Sequence, residues 1–473
     1  MSTTAILIAA ALKILFVLLV VVGAFAPVLV WAERRQSAMM QDRVGPHRAG
    51  IPLPKGVVAL LDGLRAPLRA GAYLSWFGMF LAVALLAILL LFREEPELFG
   101  LEAKVYYVAI PAFGLLGVAS MLGYKAHTKI VEGGGDITLL GLLHPLADAL
   151  KMIWKEDFMP PKADKFLFSI APVITLIPAI ASFAVIPFAD VLYLDYWDAH
   201  IPFSIDPSTL DGAAVPMQVA SLNVGILFIF AVAGTGIIGA AVGGYASDNK
   251  YSLMGGIRAA SQMVSYEVAL GLTIVPCFML YNTLRLEEMA SYQAEHFWGI
   301  LYPPLWIPFI LYLTCAIAET KRIPFDAPEG ESELVGGYLT EYSGMKFGMF
   351  FTGEFVEVVV LSALATILFF GGWDIPFLTH GGFDLPFDWE IPIPGTDWVI
   401  EDQIPMAHWG VLAVQVGGFL AKIVIFVWFQ LMVRWSLPRF RYDQIMSLCW
   451  KGVLPLALIN ILVMALFILG TSS

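Results

Sequence analysis

The sequence predicts an all-α polytopic membrane protein. Three observations carry that fold class. Hydrophobic residues make up 59% of the 473-residue chain and charged residues only 14%, whereas soluble domains run near a quarter charged. The apolar residues collect in runs long enough to cross a bilayer. The loops between those runs alternate in charge, the pattern produced when Lys and Arg are retained on one membrane face.

A span needs about 20 mostly apolar residues. Runs of that kind lie at 5–31, 166–188, 217–243, 261–284, 303–319, 344–371, 410–433 and 450–470, with two shorter ones at 75–92 and 105–123. The expectation is therefore about ten transmembrane helices in a single membrane domain covering 1–473. The first run has no basic stretch before it and exceeds the apolar core of a signal peptide, so it reads as a retained helix. Lys13 interrupts it and is expected to snorkel or pair.

Loop 32–74 holds Arg34, Arg35, Arg43, Arg48, Lys55, Arg65 and Arg69, and loop 124–165 holds Lys125, Lys129, Lys151, Lys155, Lys162 and Lys165. Later loops on the same side add Lys250, Arg258, Lys321, Arg322, Lys346, Arg434, Arg439, Arg441 and Lys451. The opposite loops contain only Arg93, Lys104 and Arg285, and the long loops 189–216 and 372–409 are acidic with no Lys or Arg. The basic loops are expected on the cytoplasmic side, with both termini and the acidic loops outside.

Residues 137–156, ITLLGLLHPLADALKMIWKE, place Leu139, Leu143, Leu146, Leu150 and Ile153 on one face and His144, Asp148, Lys151 and Lys155 on the other. Steps of three and four make this an amphipathic helix lying in the cytoplasmic-side interface. Residues 58–69 repeat its Asp–basic–basic spacing with Asp62, Arg65 and Arg69. Either the similarity is chance, or a two-helix hairpin at 75–123 was inserted together with a partial copy of the surface helix.

The cysteines, Cys277, Cys315 and Cys449, are far apart and form no CxxC pair, which argues against an iron–sulfur or zinc site. No phosphate-binding GxxxxGK[ST] or dinucleotide fingerprint is present, and no basic patch with interleaved aromatics points to nucleic acid. The chain is expected to bind no cofactor of its own and to show no redox signature.

The charged residues near the spans carry the chemistry. The segment PFDAPEGESEL, 324–334, holds Asp326, Glu329, Glu331 and Glu333 with no basic residue; Glu319 lies just before it and Glu341 just after. It is braced by prolines and alternates carboxylates with small or apolar residues, unlike a solvated loop. Burial and crowding raise carboxylate pKa values, so such a cluster can hold protons near neutral pH. The other reading is a docking surface for basic residues on a partner. Glu267 lies at the start of an apolar run, two turns after Arg258; it is either an ion-pair partner of Arg258 or a titratable relay site, since a carboxylate within a membrane helix faces a partner or a cavity. Glu354 and Glu357, three apart, share a helix face.

Five blocks, read together, carry a resemblance: ERRQSAMMQDRVGPHRAG (33–50), PLADALKMIWKEDFMPPKADKFLFSIAP (145–172), YASDNKYSLMGGIRAASQMVSYE (245–267), AETKRIPFDAPEGESELVGGYLTEYSGMKFGMFFTGE (318–354) and PRFRYDQIMSLCWKGVLPLAL (438–458). In this order they closely resemble the H-subunit family of the proton-pumping NADH:quinone oxidoreductase, respiratory complex I. The resemblance implies eight family helices, with the pair in 75–123 added. It implies a component of an energy-transducing membrane, here the bacterial inner membrane, that has no redox centre and joins the membrane arm to the peripheral arm. NADH, FMN and iron–sulfur clusters belong to partner subunits, and quinone is the substrate. Glu33, Arg34, Gln41, Arg43, Asp148, Lys151, Glu156 and Arg322 are then expected at the quinone chamber and its entrance. Arg258, Tyr266, Glu267, Glu319, Asp326, Glu329, Glu331, Glu333 and Glu354 are expected on the path toward the proton-pumping subunits.

The sequence departs from the family pattern at His47 (usually Asn), His144 (Gln), Tyr245 (Trp), Ser221 (often acidic) and Lys321 (often Asn). Two other readings stay open. Homologous membrane anchors of hydrogenases or other donor-linked dehydrogenases share the acidic loop. A stand-alone secondary transporter would show paired broken helices or inverted repeats, and none is visible.

Overall fold

The computed structural model describes residues 3–43, 45–46, 51–52, 97–98, 101–102, 136–137, 141–199, 201, 214–384, 391–392, 399–400 and 403–472. The short spans at 75–92 and 105–123, and the repeat at 58–69, lie outside these residues. Two units are distinguished by their packing: 1–45 with 145–383 and 405–473, and 46–144 with 384–404. The long helices belong to the first unit.

Among the described residues, seven helices are long and apolar enough to cross a membrane: Ile8–Met40, Lys165–Val185, Gly225–Ala246, Lys250–Tyr281, Gly344–Phe369, His408–Ser436 and Tyr442–Thr471; the apolar helix Pro303–Glu319 is shorter. They correspond one for one to the eight longer runs in the sequence. Their boundaries differ in an informative way. The first helix consists of α1 (Thr3–Val17), a π-helical stretch Leu18–Phe25 and α2 (Ala26–Met40). It continues past residue 31, so Glu33 and Arg34 stand on helix rather than in a loop. The π stretch lies just before Pro27, which lacks an N–H and crowds the preceding turn. A second π stretch, Leu448–Val453, likewise precedes Pro455.

The amphipathic segment forms a shorter helix than expected, α3 (Leu143–Trp154). Residues 136–137 instead pair with 51–52 as a two-residue antiparallel ladder, and 138–140 lie outside the described residues. Leu146, Leu150, Ile153 and Trp154 are exposed along α3, as an interfacial helix requires.

Helix α4 (Lys165–Ser182) starts at Asp164, whose carboxylate accepts from the N–H groups of Phe166 and Leu167 at 3.0 and 3.1 Å. This side-chain cap satisfies donors that a helix N-terminus leaves free. Helix α5 (Gly225–Ala246) packs on both α4 and α6 (Lys250–Tyr281). Small residues allow the close approach: a β-carbon on Gly244 would stand 2.6 Å from the Ser252 carbonyl oxygen and 3.0 Å from Gly256 Cα. Without a hydrophobic drive between helices in lipid, close backbone packing of this kind supplies much of the association. Helix α6 begins eleven residues before the apolar run at 261, capped by Asn249, and ends at Asn282 in the left-handed region with φ 53°.

After α7 (Leu286–Glu295), helix α8 (Trp306–Glu319) leads into the acidic segment, where the one-turn helix Glu331–Leu334 and the 3-10 turn Gly337–Leu339 precede α9 (Gly344–Phe369). Helix α9 is the centre of the bundle and the most buried of these long helices. Helices α10 (His408–Ser436) and α11 (Leu454–Ser472) complete the unit.

The described parts of the two long acidic loops meet at one end. Val191–Tyr193 pairs with Ala214–Pro216, Asp190 approaches His380 Nδ1 at 3.4 Å, and the Tyr193 N–H donates to His408 Nε2 at 3.1 Å. The charged residues singled out from the sequence gather at the other end and in the middle of the bundle.

Candidate functional site

The site starts midway along α2. Arg34 pairs with Asp148 of α3 at 2.5 Å. Its neighbour Glu33, turned to another side of the helix, takes Arg434 of α10 at 2.5 Å and Arg322 at 3.6 Å. Arg322 then reaches Glu354 of α9, also at 3.6 Å, while its guanidinium lies over the Phe355 ring, 4.3 Å from the centroid. A cation on an aromatic face is held without losing its reach to carboxylates. Glu354 is further bound from the loop side: the Tyr338 hydroxyl donates to it at 2.7 Å, Lys321 Nζ donates to the same hydroxyl at 3.2 Å, and Nζ to carboxylate is 3.6 Å.

Beside the first of these pairs lies an apolar cavity of about 300 Å³. Val22, Ala26, Met152 and Phe351 line it together with Arg34 and Asp148. Phe355, the ring beneath Arg322, forms part of the same wall. The cavity thus runs from the amphipathic helix to the charged cluster.

Deeper in the bundle, Glu267 of α6, Glu319 at the end of α8 and Glu357 of α9 converge on one cavity with Thr175 and Ser182. It holds about 30 Å³, room for about two water molecules at the roughly 10–15 Å³ that one water's position needs. Gly234 makes space for Glu267: a β-carbon there would sit 3.0 Å from its Oε1. Glu319 Oε2 has no hydrogen-bond partner among the described residues.

The acidic segment divides into buried and exposed carboxylates. Asp326 is buried, and its Oδ2 accepts from Arg439 at 2.7 Å. Burial pushes its pKa up to about 6, with Arg439 opposing. Glu329 is pushed well above the carboxylate range, first by burial and then by the charges of Glu354 and Asp326. Glu333, by contrast, is half exposed and pairs with Arg258 at 2.6 Å. Glu341 accepts from Asn249 at 2.7 Å. Glu331 opens the one-turn helix; its side chain is not among the described ones.

The structure separates several of the residues that the sequence grouped. Arg258 is not the partner of Glu267; it faces outward to Glu333, because the helix between them turns the two side chains to different sides. Tyr266 is fully buried, and its hydroxyl donates to the Ile445 carbonyl at 2.9 Å, which ties α6 to the short helix Tyr442–Ser447 before α11; it does not line the carboxylate cavity. Gln41, Arg43, Lys151 and Glu156 lie exposed beyond the buried cluster, with Arg43 donating to Gln41 at 2.7 Å and to Ser37 at 3.2 Å. Conversely, Lys321, Tyr338, Glu357, Arg434 and Arg439 belong to the constellation although the sequence did not single them out as site residues. Glu357 had a signal in its i+3 spacing from Glu354. The cations read as markers of membrane sidedness, which hid their pairing.

A family model described as NADH dehydrogenase matches residues 12–93 and 103–465. The chain is 44% identical over 373 residues to H subunit 1 of the NADH-quinone oxidoreductase of Geobacter metallireducens, an alignment covering 78% of this chain and 97% of the relative. It is 42% identical over 380 residues to the H subunit of the NADH-quinone oxidoreductase of Flavobacterium psychrophilum, covering 78% and 98%. The chain belongs to the H-subunit family of NADH-quinone oxidoreductases. A third member, H subunit 1 of Cytophaga hutchinsonii, is 40% identical over 376 residues, covering 78% of this chain and 97% of its own. As a member of this family the chain is an integral membrane component of an oxidoreductase complex, and the other subunits of that complex are its partners. Among the described residues no group of His, Cys, Asp and Glu could hold a metal ion, and the three cysteines are buried and form no disulfide.

Proposed function

We propose that this chain forms part of the chamber in which quinone is reduced and carries the first section of a charged path from that chamber into the membrane arm. The observation that supports this best is the unbroken series of ion pairs and hydrogen bonds from Glu33 through Arg322 and Glu354 to Lys321. It begins beside an apolar cavity that opens next to an amphipathic helix and leads toward a second, carboxylate-lined cavity.

The geometry suits that chemistry. Quinone has an apolar tail and a polar head that takes up two protons with two electrons. An apolar cavity walled by Phe351 and Phe355 accepts the tail, and Arg34 and Asp148 sit at its polar margin. Electrons come from partner subunits that hold FMN and iron–sulfur clusters and oxidise NADH; this chain supplies walls and charges. When the head group changes charge, Arg322 and the carboxylates beside it feel the change at short range in a low dielectric. Glu33 and Glu354 share Arg322, so a proton gained on one carboxylate oxygen frees the guanidinium to favour the other. Glu329 and Asp326, buried nearby, are placed to give or take that proton. The path then continues to Glu319, Glu357 and Glu267 inside the bundle.

The charge pattern of the loops supports an orientation with the Glu33–Arg322 end on the cytoplasmic side, both termini on the periplasmic side, and residence in the bacterial inner membrane. Glu354→Gln tests the reading. Gln keeps the shape and cannot ionise. In membrane vesicles normalised to assembled complex, NADH:quinone activity and proton uptake are expected to fall together. Wild-type values of both would remove the carboxylate path and leave docking of partners as the role of this charged cluster.

A further inference from the structure

Lys321 is a buried cation with an unusual position. Its side chain is 1% exposed, and its backbone is in the left-handed region at φ 53°. That conformation disfavours residues with a β-carbon other than Asn and Asp. The turn follows directly from the end of α8: the Thr320 and Lys321 N–H groups return to the carbonyls of Ala316 and Ala318. The reversal sends the Lys321 side chain back toward the bundle, so that Nζ meets Tyr338 and Glu354.

Two groups of carboxylates flank it. Glu354 and Glu329 lie toward the loop, while Glu319 and Glu357 line the membrane cavity. Lys321 stands two residues beyond Glu319 and pairs with Glu354, and Glu357 lies one helical turn along α9 from Glu354 on the same face, so the ammonium sits between the two groups. Arg322, the neighbouring cation, is turned toward Glu33 and Glu354.

We propose that Lys321 is a positioning residue that couples the two carboxylate groups: its ammonium transmits a charge change at Glu354 and Glu329 to Glu319 and Glu357, without itself carrying the proton. This inference rests on the carboxylate path of the preceding section. Burial lowers the Lys321 pKa, but Glu354, Glu357, Glu329 and Glu319 together outweigh burial and hold it above the ordinary lysine value. The ammonium is therefore held in its charged form while these carboxylates are ionised. A proton arriving on a Glu354 oxygen cancels the charge that holds Nζ at 3.6 Å. The flexible four-carbon stem then lets Nζ act more strongly on the cavity carboxylates, and the proton's departure reverses the shift. The Tyr338 hydroxyl, between Nζ and Glu354, keeps the two registered.

The test uses the assembled complex in membrane vesicles with NADH as donor and a short-chain quinone as acceptor. Lys321→Asn removes the charge while suiting the left-handed backbone, so loss of function cannot be assigned to strain. Turnover per assembled complex at neutral pH is expected to fall about tenfold, and the acid limb of its pH profile to move at least about one unit alkaline, because carboxylates deprived of their cation hold protons to higher pH. Lys321→Arg, which keeps a cation, is expected to return the limb toward its wild-type position. A wild-type limb in an assembled K321N complex overturns the proposal, since packing alone leaves no such pH signature. If K321N does not assemble, Tyr338→Phe decides: the same displacement, smaller, supports the coupling, and an unmoved limb overturns it. Glu354→Gln run in parallel separates the two levels. Slow E354Q with wild-type K321N removes only the role of Lys321, whereas wild-type E354Q removes the path on which it rests.

Discussion

Asp326 offers the sharpest electrostatic prediction outside the membrane spans. Its carboxylate is buried, titrates near 6, and has one direct cationic partner, Arg439, at 2.7 Å. Replacing Arg439 by Gln keeps a hydrogen-bonding side chain and removes the charge. Two unit charges with centres roughly 4 Å apart interact by about 4 kcal/mol at an effective dielectric near 20, equivalent to about three pKa units. Arg439 is 32% exposed, so solvent screening reduces this to about one to two units. Asp326 should then titrate at about 7 to 8. The sign follows from the raised value. Below its pKa Asp326 is protonated; above it, ionised. At neutral pH the wild-type group is about nine-tenths ionised and the variant about half or less. The assay is NADH:quinone turnover against pH, normalised to assembled complex. R439Q is expected to move the acid limb alkaline by about one to two units, and Asp326→Asn to abolish that component. An R439Q limb superimposable on wild type in a correctly assembled complex would show that Asp326 ionisation does not govern turnover.

Other consequences arise from packing and from the entrance. A β-carbon at Gly255 would stand 2.5 Å from Tyr338 N and 2.6 Å from Gly337 Cα, so Gly255→Ala must push the loop that carries Tyr338 off α6, at a cost of about 1–3 kcal/mol. Assembly and turnover should fall in G255A but not in Gly271→Ala, where nothing lies within 4 Å. Arg34 and Asp148 are 48% and 32% exposed, so Arg34→Ala should change stability by at most about 1 kcal/mol yet raise the quinone KM, measurable by titrating a long-tailed quinone. Replacing 75–123 by a short linker should leave quinone reductase activity per assembled complex unchanged; a slow but fully assembled complex would assign the hairpin a part in the mechanism.

The sequence made the spans legible because a bilayer imposes a length on apolar runs, and eight such runs became eight helices. Helix ends were not legible, since hydropathy reads membrane thickness rather than hydrogen bonding. The segment KYSLMGGIRAA continues α6 outward for about three turns, and α2 carries Glu33 and Arg34 beyond the apolar run. The gathering of acids in one segment was visible in their spacing and in the prolines around them, but which of them are buried was not: Asp326 is buried and Glu333 half exposed. Their partners were not. Glu33 meets Arg434, and Asp326 meets Arg439, across hundreds of residues or between separate elements. A cation flanking an apolar run looks the same whether it fixes topology or neutralises a buried carboxylate. Lys321 illustrates the difficulty, because only the left-handed turn after α8 directs it inward.

The carboxylate path stands or falls on Glu267 and Glu357, the two members farthest from the loop side that share the inner cavity. Neither touches the proposed quinone cavity, so neutralising them leaves quinone binding in place. Purified complex carrying Glu267→Gln or Glu357→Gln should be reconstituted in sealed vesicles, and quinone reduction and proton uptake measured in the same sample. If the path couples the two processes, both fall together in each variant, with the quinone KM unchanged. Wild-type rates of both in the two variants would contradict the path and reduce the inner carboxylates to a structural role.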